Sequence, residues 1–125
     1  MFYMNGIRWR IRTVRPESEL LIDRTGRRTV ATTDPVTRRI YLSRNIRGEF
    51  KNRVLVHELG HAAMYSYGML DFIHEMTKPE HWIDMEEYIC NFIADYGWQI
   101  FCIAERYLGD EAVYIVPPMI ERFIA

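Results

Sequence analysis

The spacing of hydrophobic and polar positions changes near the middle of this chain. Residues 6–14 predict a half-buried β-strand, because apolar and polar side chains alternate from Ile7 to Arg12. Residues 28–33 and 38–43 are rich in β-branched side chains and flank Asp34-Pro35-Val36-Thr37. Because Pro35 suits the second position of a turn, these two segments predict a hairpin. Residues 20–23 predict a further, weaker strand.

From about residue 49 the apolar positions recur at helical spacing, and this predicts a helix over residues 49–67 that ends at Gly68. Residues 69–80 are interpreted as a connector. A second long helix comes next and ends near Leu108-Gly109. Its start is ambiguous, since residues 77–80 and 84–87 both resemble a capping box. Its apolar side chains cover several faces, so it is expected to run through the core.

The segments together predict an α+β fold in which a small N-terminal antiparallel β-sheet precedes a helical half. A final helical stretch is expected from Asp110, broken or bent at Pro117-Pro118. The length of 125 residues favours a single domain over residues 1–125 and is sufficient to bury a core.

The composition excludes some classes of protein. The chain is 49% hydrophobic and 26% charged, and it has no apolar run long enough to span a bilayer. The first twelve residues lack the apolar segment of a signal peptide. Cys90 and Cys102 are expected on one helix, too far apart for a disulfide, as two buried thiols. We therefore expect a cytoplasmic protein without a membrane partner.

Charge is divided unevenly between the two halves. Residues 1–53 carry 13 Lys and Arg against 5 Asp and Glu, whereas residues 54–125 carry 3 against 12. The basic half could favour nucleic acid, but Arg8, Arg10 and Arg12 alternate with apolar residues as the solvated face of a strand does. No direct nucleic-acid contact is therefore expected. The acidic half favours a divalent cation or a basic partner.

The most informative motif is His57-Glu58-Leu59-Gly60-His61, an H-E-x-x-H pattern. On a helix His57 and His61 share one face, so both imidazoles can bind one metal ion, while Glu58 can act as the general base towards a water molecule at the metal. This set indicates one zinc ion per chain. The structural alternative is two core histidines hydrogen-bonded to carboxylates, with Glu58 facing solvent.

A catalytic zinc site needs a third protein ligand. An H-E-x-x-H-x-x-G-x-x-H arrangement is excluded, because Met64 and Tyr67 occupy the positions that would need glycine and histidine. The predicted second helix offers Glu87 as the ligand. Asn91 and Asp95 come next on the same face and could orient a ligating histidine. The alternatives for the third ligand are Glu86, Asp84, His81 and His74.

With these residues, the chain from Arg39 to Gln99 resembles the ImmA/IrrE family of metallo-endopeptidases. The resemblance depends on the His57–His61 motif after a hairpin and on Glu87-x-x-Cys90-Asn91-x-x-Ala94 on the next helix. Cys90 stands where the family usually has alanine. Residues 96–99, Tyr-Gly-Trp-Gln, replace the family's Leu-Leu-Met-Pro type ending, and this difference affects the expected shape of the substrate cleft.

The resemblance implies a minimal zincin-like domain in which His57, His61 and Glu87 bind zinc and Glu58 is catalytic. It also implies a protein substrate, which a strand near the cleft, with residues 38–43 as the candidate, could hold in extended form. Many family members come from phages and mobile elements and cut helix-turn-helix repressors, so a transcriptional repressor is the expected partner. The alternative is a non-catalytic anti-repressor that uses the same fold to bind its partner.

Overall fold

The computed structural model describes residues 1–112 as an α+β fold, with a four-stranded sheet followed by three helices. The expected fold class is confirmed at this level. The stretch predicted beyond Asp110, including Pro117-Pro118, lies almost entirely outside the described residues. The elements are β1 (Phe2–Met4), β2 (Ile7–Val14), β3 (Ala31–Asp34), β4 (Arg39–Ser43), α1 (Gly48–Ser66), α2 (Met69–Met76) and α3 (Trp82–Leu108), with 3-10 turns at Glu19–Leu21, Pro79–His81 and Gly109–Glu111.

The sheet has the order β1-β2-β4-β3 and is mixed. β1 pairs with β2 and β3 with β4 in antiparallel fashion, but β2 and β4 are parallel, with Arg10 beside Arg39 and Ile11 beside Ile40. The prediction of an antiparallel sheet was therefore wrong for its central pair. The chain between β2 and β4 returns through a 3-10 turn and β3, so β4 enters the sheet in the same direction as β2.

The predicted hairpin is confirmed as β3 and β4. Its turn is held by Asp34, whose carboxylate accepts the backbone N–H of Val36 at 2.9 Å and of Thr37 at 3.3 Å. The weaker strand predicted over residues 20–23 was wrong, because this segment begins as a 3-10 turn that buries Leu21 completely. A single apolar side chain can be buried there without the alternation of a strand.

The main core lies between the sheet and α1. Trp9 is fully buried, and its Nε1 donates to the Ser66 Oγ at 2.8 Å, which ties β2 to the last turn of α1. Since both partners are buried, loss of this bond would leave an unsatisfied polar group. The buried hydrophobic members of this core are Trp9, Ala31, Ile40, Leu42, Ile46, Val54 and Ala62.

A second, smaller cluster packs the helices together, with Met64 of α1, Ile73 of α2 and Cys90 of α3 at its centre. α2 lies inside the segment predicted as a connector, so that prediction was wrong. The helix is only eight residues long and begins directly after Gly68, whose φ of +72° lies in the left-handed region. Helices this short give a weak periodic signal.

α3 is 27 residues long, about 40 Å, and extends past the 19-residue α1. Its buried residues are Glu86, Cys90 and Ala94, all in its first half. The expectation that α3 runs through the core is wrong for its second half, where nearly every side chain is exposed. Cys102 is accordingly exposed, so the prediction of two buried thiols holds for Cys90 alone.

Neither predicted capping box begins α3. The helix starts at Trp82 after the 3-10 turn that contains Pro79, and His81 precedes it without a side-chain capping bond.

Arg8, Arg10 and Arg12 are exposed on β2, as their alternation predicted. Within residues 1–112, none of the helices combines the length and the apolar character needed to cross a bilayer.

Candidate metal site

The H-E-x-x-H residues lie on α1, where the four-residue spacing puts both histidines on one face. The Nε2 atoms of His57 and His61 are 3.1 Å apart, and the two rings meet at 73°. His61 is buried, whereas His57 is partly exposed. The local helical geometry thus directs two nitrogen atoms to one point.

α3 brings Glu87 to the same point. Its Oε2 lies 3.2 Å from His57 Nε2, and its Oε1 lies 3.0 Å from His61 Nε2. The two helices approach closely here because Gly60 has no side chain: a Cβ at that position would lie 3.1 Å from the Cys90 Sγ. Gly60 is one turn after His57, and Cys90 is one turn after Glu87, so this contact brings the side chains of His57 and Glu87 to the same level of the two helices.

His57, His61 and Glu87 form a cluster that could hold a metal ion, with ligand atoms all within 4.8 Å of one another. Bonds of 2.0–2.1 Å around a tetrahedral zinc ion put neighbouring donor atoms about 3.3 Å apart. At this site the two Nε2 atoms are 3.1 Å apart, and each lies 3.0–3.2 Å from a different oxygen of Glu87, near that value. The cluster could therefore hold one small cation.

Protonation also favours a cation here. The Nδ1 of His61 lies 2.8 Å from the Glu86 Oε1 and must donate to it. A neutral His61 then has only a lone pair on Nε2, and this lone pair faces a Glu87 carboxylate oxygen. Two acceptors face each other unless a proton or a metal ion lies between them.

The pKa values report the same attraction for positive charge. Burial opposes the charged ring, but hydrogen bonds to Cys90 and to the two carboxylates outweigh it and raise the pKa of His61 to about 12. Hydrogen bonds from His57 and His61 lower the pKa of Glu87. Burial raises the pKa of the Cys90 thiol, although its hydrogen bond with His61 opposes the shift.

The sequence did not predict the roles of two residues at this site, Glu86 and Arg24. Glu86, an alternative ligand by sequence, is buried and orients His61 through Nδ1. Arg24 donates to the Glu86 Oε2 at 2.9 Å and lies 3.5 Å from the Glu87 Oε1. Its loop is folded by Asp23, whose Oδ1 accepts the N–H groups of Thr25 and Arg27. No sequence motif marks Arg24.

Glu58 is buried, unlike the solvent-facing glutamate of the structural alternative. The Thr33 hydroxyl lies 3.1 Å from its Oε2 and 3.2 Å from its backbone carbonyl oxygen, so β3 contacts both ends of this residue. Burial raises the pKa of Glu58, although the neighbouring histidines and Thr33 oppose the shift. A carboxylate with a raised pKa is suited to accept a proton near neutral pH.

Asn91 and Asp95 were expected to orient a ligating histidine. They lie near this centre but do not contact the histidines. Asp95 binds Arg53 at 2.6 Å, and Asn91 lines the cleft with an exposed side chain. The carboxylate that orients His61 through Nδ1 is Glu86 rather than Asp95. The Nδ1 of His57 is buried and has no hydrogen-bond partner among residues 1–112.

Asp84, His81 and His74, which were also candidates for the third ligand, have exposed side chains. His74 stacks on Trp82, with ring centroids 3.9 Å apart. None of the three belongs to the cluster of possible metal ligands that the described residues form. The structure therefore brings Glu87, and none of these three, to the histidines.

A cleft of about 690 Å³ opens over His57, His61 and Glu87. One wall is β3 with the loop before it, and the other is formed by α1 and the start of α3. Its polar lining residues include Arg24, Thr33, Arg53, His57, Glu58, His61, Glu86, Glu87 and Asn91. The candidate base and the three possible ligands thus share one cavity that is open to solvent.

Comparison with known proteins gives no relative: no family model, curated protein or solved structure matches this chain.

Proposed function

We propose that this protein is a zinc-dependent endopeptidase with a minimal zincin-like site. The supporting observation is the convergence of two imidazoles and one carboxylate at 3.0–3.2 Å, beside a buried glutamate in an open cleft. His₂-carboxylate sets are typical of catalytic zinc sites that keep one position for water. His57, His61 and Glu87 are the ligands in this proposal.

When bound, zinc supplies a Lewis acid for the scissile carbonyl and lowers the pKa of its water ligand from 15.7 towards about 7. Glu58 accepts a proton from the attacking water and later gives it to the nitrogen of the leaving amine. Thr33 holds the Glu58 carboxylate towards the cleft. Glu86 keeps the Nδ1 of His61 protonated, so that Nε2 is free to ligate.

The substrate strand is proposed to lie along β3. Residues 38–43, the candidate from the sequence, do not suit this role, because β4 is paired on both sides within the sheet. β3 is an edge strand, and Ser43 N–H bonds to the Val30 carbonyl, so by alternation the backbone groups of Thr33 point away from β4. These groups are available to an extended peptide beside Glu58.

The substrate class is taken from the resemblance to ImmA/IrrE endopeptidases, which implies a protein such as a helix-turn-helix repressor. An open cleft next to a sheet edge suits an extended segment of a protein better than a compact small molecule. The rival function is repressor binding without cleavage. Burial of Glu58 beside the ligands favours catalysis, since a binding surface gains nothing from a desolvated carboxylate.

The test begins with metal content, measured by elemental mass spectrometry on untagged protein. We expect one zinc per chain in the wild type and a large loss in Glu87→Ala. A mixed peptide library is then incubated with zinc-loaded protein and read by mass spectrometry. Glu58→Gln should keep zinc and cleave about 10²–10⁴-fold more slowly. Glu49→Gln, on the first turn of the same helix, is the matched control and should cleave normally.

Three outcomes would contradict the proposal at different steps. If the wild type contains no zinc after the metal is supplied, the proposed metal site is wrong. If Glu58→Gln cleaves as fast as the wild type, Glu58 is not the general base. Zinc-loaded wild type that cuts none of the peptides, yet releases an intact repressor as Glu58→Gln also does, would establish the binding function instead.

A further inference from the structure

The second half of α3 exposes a continuous set of large apolar side chains that the proposed peptidase site does not use. Tyr107 is 89% exposed, Phe101 73% and Trp98 60%. No charged residue occurs between Tyr96 and Ala104. A helix that is apolar on all sides is normally buried, so this segment requires a covering surface.

The spacing of these side chains indicates what the covering surface is. Ile93, Tyr96, Ile100, Ile103 and Tyr107 recur at intervals of three and four residues, and we call this stripe the α3 seam. Such a repeat is the pattern by which one helix packs along another in a coiled coil. All five side chains are exposed in the single chain. The seam therefore fits a partner helix.

Small residues beside the seam allow that partner to approach closely. Gly97 and Ala104 lie seven residues apart, next to the seam. A Cβ at Gly97 would contact only the Cγ2 of Ile93 on its own helix, at 3.6 Å, so nothing in residues 1–112 fills this side of α3. The seam has both the bulky positions and the small flanking positions of a helix–helix interface.

The exposed area of the seam is close to what a stable dimer buries. From their exposed fractions, the five seam side chains present on the order of 700 Å² to a partner helix, whereas Trp98 and Phe101 lie on other faces of α3. A standard interface buries about 800 Å² on each partner. An uncharged surface is also self-complementary, because two copies bring no like charges together.

We infer that the protein is a homodimer in which the α3 seams of two chains pack against each other in antiparallel orientation. With Ile100 near the two-fold axis, Ile93 lies near Tyr107 of the partner subunit. α1 packs on the first half of α3 and carries the sheet on its other side, so a parallel pairing would bring the two sheet-and-α1 bodies side by side, whereas an antiparallel pairing separates them.

The first experiment measures the mass of full-length, zinc-supplied protein in solution by light scattering. We expect twice the chain mass of 15.0 kDa at about 10 µM protein. Ile100→Glu combined with Ile103→Glu should weaken association at least about 100-fold, because both side chains lie at the centre of the interface. Val36→Glu is the matched control, since Val36 is 86% exposed on the hairpin turn, and it should stay dimeric.

Circular dichroism and zinc content of each variant show whether it is folded. A wild type that is monomeric at about 100 µM would overturn the inference, and so would a dimer that survives both Glu substitutions. Binding of monomers to phosphatidylcholine vesicles would assign the surface to lipid instead. Mass and zinc content are independent results, so a zinc-free dimer contradicts the proposed peptidase and leaves this inference intact.

The orientation is tested by cysteine cross-linking in a Cys102→Ser background. Combining Ile93→Cys with Tyr107→Cys should give a covalent dimer on oxidation, because the antiparallel seam brings these positions together across the two-fold axis. Ile93→Cys alone should give none. Efficient cross-linking by Ile93→Cys alone would show parallel helices and overturn the proposed arrangement.

Discussion

Glu86 and Glu87 are adjacent in sequence but contact opposite nitrogens of the same imidazole. Glu86 meets the Nδ1 of His61 from the buried side, and Glu87 meets Nε2 from the cleft. Arg24 stabilises the pair, since its guanidinium contacts both carboxylates. Glu86 thus fixes the tautomer of His61, and Glu87 offers an oxygen atom to a metal ion at the candidate site.

We predict that Glu86→Gln weakens zinc binding about 10–100-fold, the usual cost of losing a partner that orients a ligating histidine. The amide keeps the size of the side chain but carries no charge and can present its donor group to Nδ1. Competition with a chelator of known affinity measures the change. Glu80→Gln, exposed in the 3-10 turn before α3, is the control. If Glu86→Gln and the wild type bind zinc with equal affinity, Glu86 does not orient His61 for metal binding.

At the scale of single residues, the sequence predicted the features that depend on helical spacing alone. His57 and His61 converge because the repeat of an α-helix puts them on one face. Glu87 was one of several candidates, since its approach depends on how α3 packs against α1. Arg24 could not be predicted, because a loop residue comes to the site only through the tertiary fold.

The packing of α1 on α3 depends on a contact between a glycine and a thiol. Gly60 faces Cys90, and an added Cβ would lie 3.1 Å from the Sγ and 3.5 Å from the Cα of Cys90. Cys90 also approaches the Met64 sulfur at 4.0 Å, so it has little room to move. This contact sets the distance between the possible metal ligands on the two helices.

We predict that Gly60→Ala lowers the free energy of unfolding by about 1–3 kcal/mol, as overpacking of a tight contact does, despite the higher helix propensity of alanine. Cys90→Ala in the same chain should recover most of the loss, since it removes the sulfur that the new methyl group meets. Urea denaturation measures both.

Gly97→Ala is the control for this prediction. The added methyl group would meet only Ile93 Cγ2 at 3.6 Å, so propensity dominates and stability should rise by up to about 1 kcal/mol. Both glycine variants are compared in the Ile100→Glu, Ile103→Glu background, so that pairing of α3 contributes nothing. If Gly60→Ala were as stabilising as Gly97→Ala, the contact with Cys90 would not limit the packing.

Strong periodic signals predicted the elements, and weak or non-local ones did not. α1 and the hairpin lie within a few residues of their predicted bounds, since their patterns are long or their turn chemistry is specific. α2 was missed because it has only eight residues. The parallel pairing of β2 with β4 was missed because alternation along a strand does not specify its direction.

For the whole molecule, a metal ion at the candidate site would join α1 to α3 through His61 and Glu87, which are distant in sequence. Binding to the folded state alone stabilises a protein by about 2.7 kcal/mol when free metal is 100 times its dissociation constant. We therefore predict that a chelator lowers the urea midpoint and that added zinc restores it.

Glu87→Ala should show no such dependence on zinc, because it has lost one of the three ligands. An identical midpoint for wild-type protein with zinc and with chelator would contradict the prediction. The comparison is made at a fixed protein concentration, since association through α3 would also raise the midpoint.

The sequence of one chain does not predict what covers the exposed second half of α3. Its apolar residues predicted a buried helix, but hydrophobicity does not specify whether the covering surface belongs to the same chain. Residues 1–112 cover only the first half, around Cys90 and Ala94. We assign the cover of the second half to the assembly.

The shortness of β3 limits how this protein can recognise a substrate. The strand has four residues, and the Thr32 hydroxyl donates to the Leu20 carbonyl at 2.7 Å, which ties the 3-10 turn to this strand. Pro35 comes directly after the strand and has no N–H to offer. Such a short edge resists sheet-to-sheet aggregation. It also gives an extended peptide few backbone bonds, so sequence selectivity must come from side-chain pockets along the cleft.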